Sequence, residues 1–132
     1  KARNPSIRVY GAEPTGADDA WRSKQAGELI PQTGPDTIAD GLLTSLGDLT
    51  WPVVRDLVDD IICVNDDEIA TAMRLMLERA KLVVEPSGAV AYAAVCSTAF
   101  RDLPDQLSLG RVGVIASGGN LNLDKLPWQI TD

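Results

Sequence analysis

The sequence contains no histidine, and that absence removes several common kinds of active site. Neither Ser-His-Asp nor Cys-His catalysis is available, and a zinc site cannot be built on imidazole nitrogens. Basic residues are also few: 12 Lys and Arg stand against 19 Asp and Glu, and the formal net charge is −7. Because proteins that bind nucleic-acid phosphates gather Lys and Arg on one face, this balance argues against a nucleic-acid partner.

Cysteines and long apolar runs are scarce as well. Cys63 and Cys96 each lie in a short apolar run, which favours two reduced, buried thiols over a disulfide. No apolar run approaches the roughly 20 residues of a membrane span, and no secretory leader precedes the first strand pattern. We therefore expect a cytoplasmic protein without a membrane partner. The chain begins with Lys1 rather than methionine, and this predicts a piece of a longer protein.

Short apolar strands alternate with helical patterns along the chain. The patterns predict strands at 7–12, 61–64 and 111–116, and helices at 20–26, 51–58, 67–82 and 89–99. The helix at 89–99 consists almost wholly of small and apolar residues, which predicts that it is buried. This alternation is typical of an α/β domain with a mostly parallel sheet flanked by helices, in which ligands bind beyond the carboxyl ends of the strands.

Two segments near predicted strand ends or helix starts have the chemistry of a ligand site. Ser117-Gly118-Gly119-Asn120 would let the backbone approach a planar cofactor, with a hydroxyl to bind one of its polar atoms; an ordinary glycine turn fits the pattern equally well. Glu85 lies between an apolar run and a helix start. A carboxylate in such a setting is often functional, but a helix-capping loop, with Glu85 or Ser87 binding free N–H groups, is the plainer interpretation.

A third segment is acidic. Glu13, Asp18 and Asp19 surround a Gly turn and would place carboxylate oxygens around a hard divalent cation. The spacing is not that of an EF-hand, and acidic residues are common at helix starts because they interact favourably with the helix dipole. By itself this segment is better explained as a solvated helix start.

Four stretches carry a resemblance that joins these segments. They read RNPSIRVYGAEPTGADDA, TIADGLLTSLGDLTWPVVRDLVDDI, VVEPSGAVAYAAV and VGVIASGGNLNL, and they cover most of the chain. In this order they resemble the carboxy-terminal part of eukaryotic, plant-type serine racemases, which are pyridoxal-phosphate enzymes of fold type II related to the serine/threonine dehydratases. The resemblance implies that residues 1–132 form the carboxy-terminal portion of a tryptophan-synthase β-like large domain.

The resemblance also implies how the chain would contact pyridoxal 5'-phosphate. Ser117 would hydrogen-bond the pyridine nitrogen of the cofactor. A neutral hydroxyl at that place leaves the nitrogen largely unprotonated and so limits the ring as an electron sink. Glu85 and Gly41 would line the pocket beside the ring, and Gly118 with Gly119 would shape its floor.

A metal site and an effector site are implied on other residues. Glu13, Asp19 and the carbonyl of Ala17 match the family's site for Mg²⁺ or Ca²⁺, and such hard oxygen ligands suit either ion. Lys81 and Asn120 match positions that contact an ATP effector at the dimer interface of the animal enzymes. A homodimer with the amino-terminal portion is therefore implied as well.

Other parts of the family's machinery are not in this sequence. The Schiff-base lysine of the family lies in an amino-terminal Ser-x-Lys-x-Arg-Gly segment, which none of Lys1, Lys24, Lys81 and Lys125 matches. The glycine-rich loop for the cofactor phosphate and the serine on the opposite face of the substrate are also absent. Because the mechanism needs that lysine, the chain alone is predicted to be inactive.

The implied activity of the complete protein is interconversion of L-serine and D-serine, with elimination of water from serine to give pyruvate and ammonia. Three other functions remain open. The first is a threonine/serine dehydratase without a racemase role, because the distinguishing serine lies outside this sequence. A non-catalytic module that dimerises with a complete subunit and regulates it is the second alternative, and a small nucleotide- or metal-binding protein is the third.

Overall fold

A computed structural model describes residues 1–104 and 110–129 of the chain. In it the chain folds around a two-stranded parallel sheet. Strand β1 is Tyr10–Pro14 and strand β2 is Asp60–Val64. They pair in parallel, with Tyr10 opposite Asp60 and Pro14 opposite Val64. Helices flank this sheet, and the predicted α/β class with a parallel sheet is confirmed.

The helices follow the predicted patterns with shifted ends. They are α1 at Asp19–Ala26, α2 at Trp51–Leu57, α3 at Asp66–Leu75, α4 at Pro86–Cys96 and α5 at Thr98–Arg101. A short 3-10 turn covers Asp40–Leu42, and α3 continues into a π-helical turn at Met76–Ala80. Among the described residues, no helix is both long enough and apolar enough to cross a membrane.

One apolar core holds β2, α3 and α4 together. Residues repeating every three or four positions along α3 put Ile69 and Met73 fully inside, where they meet small side chains of α4. The two helices contact each other more extensively than any other pair of elements. The predicted burial of α4 is confirmed only in part, because five of its 11 residues are buried, five are partly buried and Cys96 is exposed. The buried residues are Gly88, Ala89, Val90, Ala93 and Ala94.

The predicted strand at 111–116 is wrong. Residues 110–122 form no helix or strand, and residues 111–116 are exposed. A β-strand needs the N–H and C=O groups of a neighbouring strand, and in the described part of the chain the sheet consists of β1 and β2 alone. The apolar pattern of 111–116 is that of a strand, but nothing in that part of the chain pairs with it.

The cysteines differ from the expectation in one respect. Both are free thiols, as predicted, but only Cys63 is partly buried, and Cys96 is exposed. Cys96 is the last residue of α4, where the helix leaves the core, so its apolar neighbours do not determine its own burial.

Candidate functional site

Glu85 is the centre of a polar cluster at the start of α4. One oxygen of its carboxylate accepts the backbone N–H of Asn120 at 2.8 Å. Its own N–H donates to the carbonyl of Gly118 at 3.4 Å. Gly118 has a φ of 82°, and a β-carbon at that position would collide with the Glu85 carboxylate. Only glycine allows both this backbone conformation and this close approach.

The structure overturns the interpretation of residues 85–88 as a capping loop. Glu85 occupies the position before α4, yet its side chain makes no capping hydrogen bond to the helix. Ser87 likewise points elsewhere, and its hydroxyl oxygen accepts the N–H of Gly41 at 3.0 Å. Pro86 lies in the first helical turn and lacks an N–H, so one fewer donor of that turn needs a cap. Both polar side chains are therefore directed toward other segments of the chain.

Gly88 brings the segment after residue 110 onto α4. A β-carbon on Gly88 would overlap the carbonyl oxygen of Ser117. Sequence reasoning missed two contacts here, the one between Ser87 and Gly41 and the one between Gly88 and Ser117. The signal was present in the run Glu-Pro-Ser-Gly, but the partners of its last two residues lie far away along the chain.

The predicted cofactor residues mostly lie together. Gly41, Glu85 and Gly118 form one cluster, because a β-carbon on Gly41 would lie 3.0 Å from the Ser87 hydroxyl and 4.0 Å from a Glu85 oxygen. Gly119 lies beside the carbonyl of Val83 on the edge of this cluster. Ser117 reaches α4 with its backbone, while the residue as a whole is exposed.

The side-chain amines of three lysines bind partners outside the Glu85 cluster. Lys1 forms an ion pair with Asp59 at 2.6 Å, Lys24 donates to the carbonyl of Arg55 at 3.2 Å, and Lys81 donates to the carbonyl of Glu78 at 2.7 Å. None of these partners belongs to the Glu85 cluster. The cluster as described is therefore a binding arrangement of a carboxylate, hydroxyls and glycine backbone.

A second polar site lies beyond the carboxyl end of β1. Glu13 accepts the N–H groups of Ala20 at 3.2 Å and Trp21 at 2.7 Å, in the first turn of α1. Asp19 is buried, and its carboxylate accepts the N–H of Leu46 at 2.6 Å. Glu13 and Asp19 line the same cavity of about 260 Å³. Glu13 thus binds amides of a helix start that the side chain of Asp18 leaves uncapped. The expected solvated helix start is wrong for Asp19, which is buried.

Burial gives the Glu13 carboxylate an unusual proton affinity. Desolvation raises its pKa from 4.5 to about 7, and the negative charges of Asp19 and Asp18 add to the rise. The amide hydrogen bonds from Trp21 and Ala20 act in the opposite direction and only partly offset it. At neutral pH this carboxyl is consequently poised between its protonated and ionised forms.

The donor set at this site suits a hard cation in part. Two carboxylates share the cavity, and Ala17, in the turn between them, is buried. Ala17 is not among the described residues that line the cavity. No group of three or more His, Cys, Asp or Glu side chains within residues 1–104 and 110–129 is arranged to hold a metal ion. A cation here would rely on two carboxylates completed by carbonyl or water oxygens.

Of the two residues expected to contact a nucleotide, only Asn120 has a described contact with the Glu85 cluster. Lys81 ends the π-helical turn with a φ of 60°, and Asn120 donates its N–H to Glu85. The nucleotide effector, the homodimer and the cytoplasmic location stay predictions.

Comparisons with known proteins agree with this geometry. A family model described as "Pyridoxal-phosphate dependent enzyme" matches residues 1–118. Serine racemase of Oryza sativa subsp. indica is 53% identical over 129 residues, and that of Homo sapiens is 47% identical over 130. The alignments take in 98% and 97% of this chain, which spans 38% of the length of each relative.

Two solved structures share the fold of this chain. Maize serine racemase superposes with a TM-score of 0.91 at 52% identity, over 94% of this chain and 38% of that one. A T.th. threonine deaminase superposes with a TM-score of 0.77 at 38% identity, over 92% of this chain and 38% of that one. The shared fold therefore extends over nearly the whole chain.

Proposed function

Because this chain belongs to the pyridoxal-phosphate dependent enzymes, we propose that it is the carboxy-terminal part of a plant-type serine racemase that also dehydrates serine. The observation that carries the proposal is the Glu85 cluster, in which Gly41, Glu85 and Gly118 come together from three separate segments of the chain. About half of the residues are shared with serine racemases, whereas the threonine deaminase is 38% identical. This difference supports serine as the principal substrate.

The residues present fit the ring of pyridoxal phosphate. Gly118 leaves the backbone bare beside a carboxylate, and the Ser117 hydroxyl is a neutral partner that both donates and accepts. When bound, the cofactor supplies the electron sink that stabilises the negative charge left on serine after its α-proton is removed. Ser117 would hydrogen-bond the pyridine nitrogen without protonating it. Glu85, fixed by Asn120, would hold one side of the pocket.

The lysine that bonds the cofactor would come from outside the matched segment. Lys1, Lys24 and Lys81 all have partners elsewhere, and Lys125 lies outside residues 1–118, which the family model matches. We accordingly propose that the chain alone neither racemises nor dehydrates serine. The chain's own contribution is to bind and orient the ring and to shape the substrate side of the pocket.

A chimera tests this function. The matched 129-residue segment of the Oryza sativa enzyme is replaced by this chain, and D-serine and pyruvate are measured with the intact Oryza sativa enzyme as reference. We expect both products from the chimera and neither from the chain alone.

A variant of the chimera tests the cofactor contact. Ser117→Ala should shift the absorbance of the bound pyridoxal phosphate and weaken its binding about tenfold, which corresponds to the loss of one hydrogen bond. The matched control is Ser6→Ala, which removes an exposed hydroxyl that bonds its neighbour Asn4.

Three results would count against the proposal. A folded chimera that binds pyridoxal phosphate but forms neither product would remove the racemase assignment. Pyruvate without D-serine would favour the alternative of a serine/threonine dehydratase. Activity of the 132-residue chain by itself would show that a lysine of this sequence does the chemistry.

We also propose that Glu13 and Asp19 hold Mg²⁺ or Ca²⁺. Two carboxylates that share a small cavity repel each other, and a divalent cation removes that repulsion. Asp19 is only 3% exposed, so its charge gains little from bulk water. Ala17 would contribute its carbonyl from the turn between them. Calorimetric titration with Mg²⁺ should show binding to the chain and none to Glu13→Gln.

A further inference from the structure

The carboxylate of Asp66 binds a segment that is distant from it in sequence. Asp66 is the first residue of α3. One of its oxygens accepts the hydroxyl of Thr37 at 2.6 Å, and the other accepts the N–H of Ile38 at 3.0 Å. These two partners lead directly into the 3-10 turn at Asp40–Leu42, which contains Gly41. Asp66 therefore binds the segment that brings Gly41 to the Glu85 cluster.

The start of α3 does not require these contacts. Its cap is formed by Asn65 and Glu68, each of which accepts the N–H of the other. A negative charge at a helix start is favourable because of the helix dipole, but this applies equally to Asp67. Asp67 is exposed, and its side chain forms no hydrogen bond within residues 1–104 and 110–129. The dipole thus accounts for the charge of Asp66 but not for the direction of its carboxylate.

A short series of contacts leads from Asp66 to the cluster. The hydroxyl oxygen of Thr37 accepts the N–H of Ala39 at 3.2 Å, and Ala39 is fully buried in the core. Two residues further on, the N–H of Gly41 donates to the hydroxyl of Ser87 at 3.0 Å. Asp66 and Thr37 consequently hold the backbone that immediately precedes Gly41.

Gly41 tolerates little displacement. A β-carbon on it would lie 3.0 Å from the hydroxyl oxygen of Ser87 and 4.0 Å from an oxygen of Glu85. A shift of about 1 Å away from Ser87 would break their hydrogen bond, because such bonds extend to only about 3.2 Å. Gly41 is exposed, so burial of its own atoms does not hold it in place. Its position depends on the residues that anchor the segment.

We propose that Asp66 is a positioning residue of the cofactor pocket, whose carboxylate holds residues 37–41 so that Gly41 stays against Ser87 and Glu85. This role rests on the proposed function, in which the Glu85 cluster binds pyridoxal phosphate. Without the carboxylate, the segment would occupy its binding position in only a fraction of the molecules. The apparent affinity for the cofactor would fall by the same fraction.

Two variants at the start of α3 test this role in the chimera with the Oryza sativa enzyme. Asp66→Ala removes both acceptor oxygens. We expect it to bind pyridoxal phosphate about tenfold more weakly, as it would if the segment were in place in about a tenth of the molecules. Asp67→Asn removes a neighbouring charge from the same helix start and should bind the cofactor as the unchanged chimera does.

Hydrogen exchange follows the segment in the 132-residue chain without cofactor. The amides of Ile38, Ala39 and Gly41 should exchange faster in Asp66→Ala and at the unchanged rate in Asp67→Asn. With pyridoxal phosphate in excess, the absorbance of the loaded Asp66→Ala chimera should equal that of the unchanged chimera. The same pocket then forms once the cofactor is bound, whereas a general loss of structure would alter the spectrum.

Two variants of Thr37 isolate the contact with Asp66. Thr37→Val keeps the branched shape but removes the hydroxyl that donates to Asp66, so we expect cofactor binding about threefold weaker, within the range of one hydrogen bond. Thr37→Ser keeps the hydroxyl and should bind as tightly as the unchanged chimera. If Asp66→Ala fails to fold, this pair decides, because it leaves the carboxylate and the cap of α3 intact.

Three outcomes would overturn the proposal. The first is an Asp66→Ala chimera that binds pyridoxal phosphate as tightly as the unchanged one. The second is an equal loss of affinity in Asp67→Asn, which would assign the effect to charge at the helix start. The third is unchanged exchange of the three amides in Asp66→Ala. These readouts do not require turnover, so a chimera that binds the cofactor but forms no product would contradict the racemase assignment alone.

Discussion

At the scale of single residues, Glu13 combines a structural contact with a place in the proposed cation site. Its carboxylate binds the first turn of α1 through two amides, yet it also lines a cavity with Asp19. The sequence presented these as competing explanations. The tertiary structure shows the contact with the helix start, and it places Glu13 in one cavity with Asp19, on which the proposed cation site rests.

The raised pKa of Glu13 makes stability depend on pH. Its pKa of about 7 lies above the ordinary 4.5, so the folded chain holds this proton more tightly than the unfolded chain. Below pH 4.5 both states are protonated. As pH rises from 4.5 to 7 the unfolded state ionises first, so the Glu13 contribution to the free energy of unfolding falls, and the loss is complete once the pH is well above 7.

Urea unfolding in the absence of divalent cations measures this pH dependence. Between pH 4.5 and 7 the free energy of unfolding should fall more steeply for the unchanged chain than for Glu13→Gln, which has no proton to lose. Added Mg²⁺ should stabilise the unchanged chain most above pH 7, where Glu13 is ionised. Equal slopes for the two proteins would contradict a raised pKa.

At the scale of elements, α3 begins at Asp66, one residue before its predicted start. The side chain of Asn65 accepts the N–H of Glu68 at 2.9 Å, and the Glu68 carboxylate accepts the N–H of Asn65 at 2.8 Å. This reciprocal pair is local in sequence, so a pattern of cap residues predicts it well. The other end of the helix is less predictable, because the π-helical turn at Met76–Ala80 depends on how that end meets the rest of the chain.

Removal of the cap measures this local contribution. Asn65→Ala should lower the free energy of unfolding by about 1 kcal/mol, because the Glu68 amide loses its acceptor. Asn65→Asp keeps an acceptor oxygen and should change stability by less than about 0.5 kcal/mol. Chemical denaturation of the three proteins gives the comparison. If Asn65→Asp lowered the free energy of unfolding as much as Asn65→Ala does, Asn65 would not contribute to stability through the cap.

At the scale of the whole molecule, Gly88 joins α4 to the segment that follows residue 110. The carbonyl oxygen of Ser117 occupies the space where a β-carbon of Gly88 would be. The same segment reaches Glu85, whose carboxylate accepts the N–H of Asn120 and whose N–H donates to the carbonyl of Gly118. The cluster therefore depends on the absence of one side chain in a helix that is otherwise rich in alanine and valine.

Gly88→Ala tests that dependence. Overpacking lowers the free energy of unfolding by about 1–3 kcal/mol, whereas the better helix propensity of alanine raises it by about 1 kcal/mol. We therefore expect a net decrease of about 1 kcal/mol. Amides 117–120 should exchange faster with solvent as the segment leaves α4. Gly113→Ala, where no atom lies within 4 Å of the new β-carbon, is the control and should leave both measurements unchanged. An increase in the free energy of unfolding of Gly88→Ala would show that the carbonyl of Ser117 does not pack closely against residue 88.

The sequence alone determined the α/β class, most helices and the family, because period, caps and motifs are local features of the chain. Through the family resemblance it also indicated the residues of the Glu85 cluster. The tertiary structure decided what depends on distant partners. It turned Glu85 and Ser87 away from the helix that they begin, and it raised the pKa of Glu13 by burial. It also left 111–116 without a neighbour in the described part of the chain, because a strand pattern describes a backbone ready to pair but cannot supply the strand beside it.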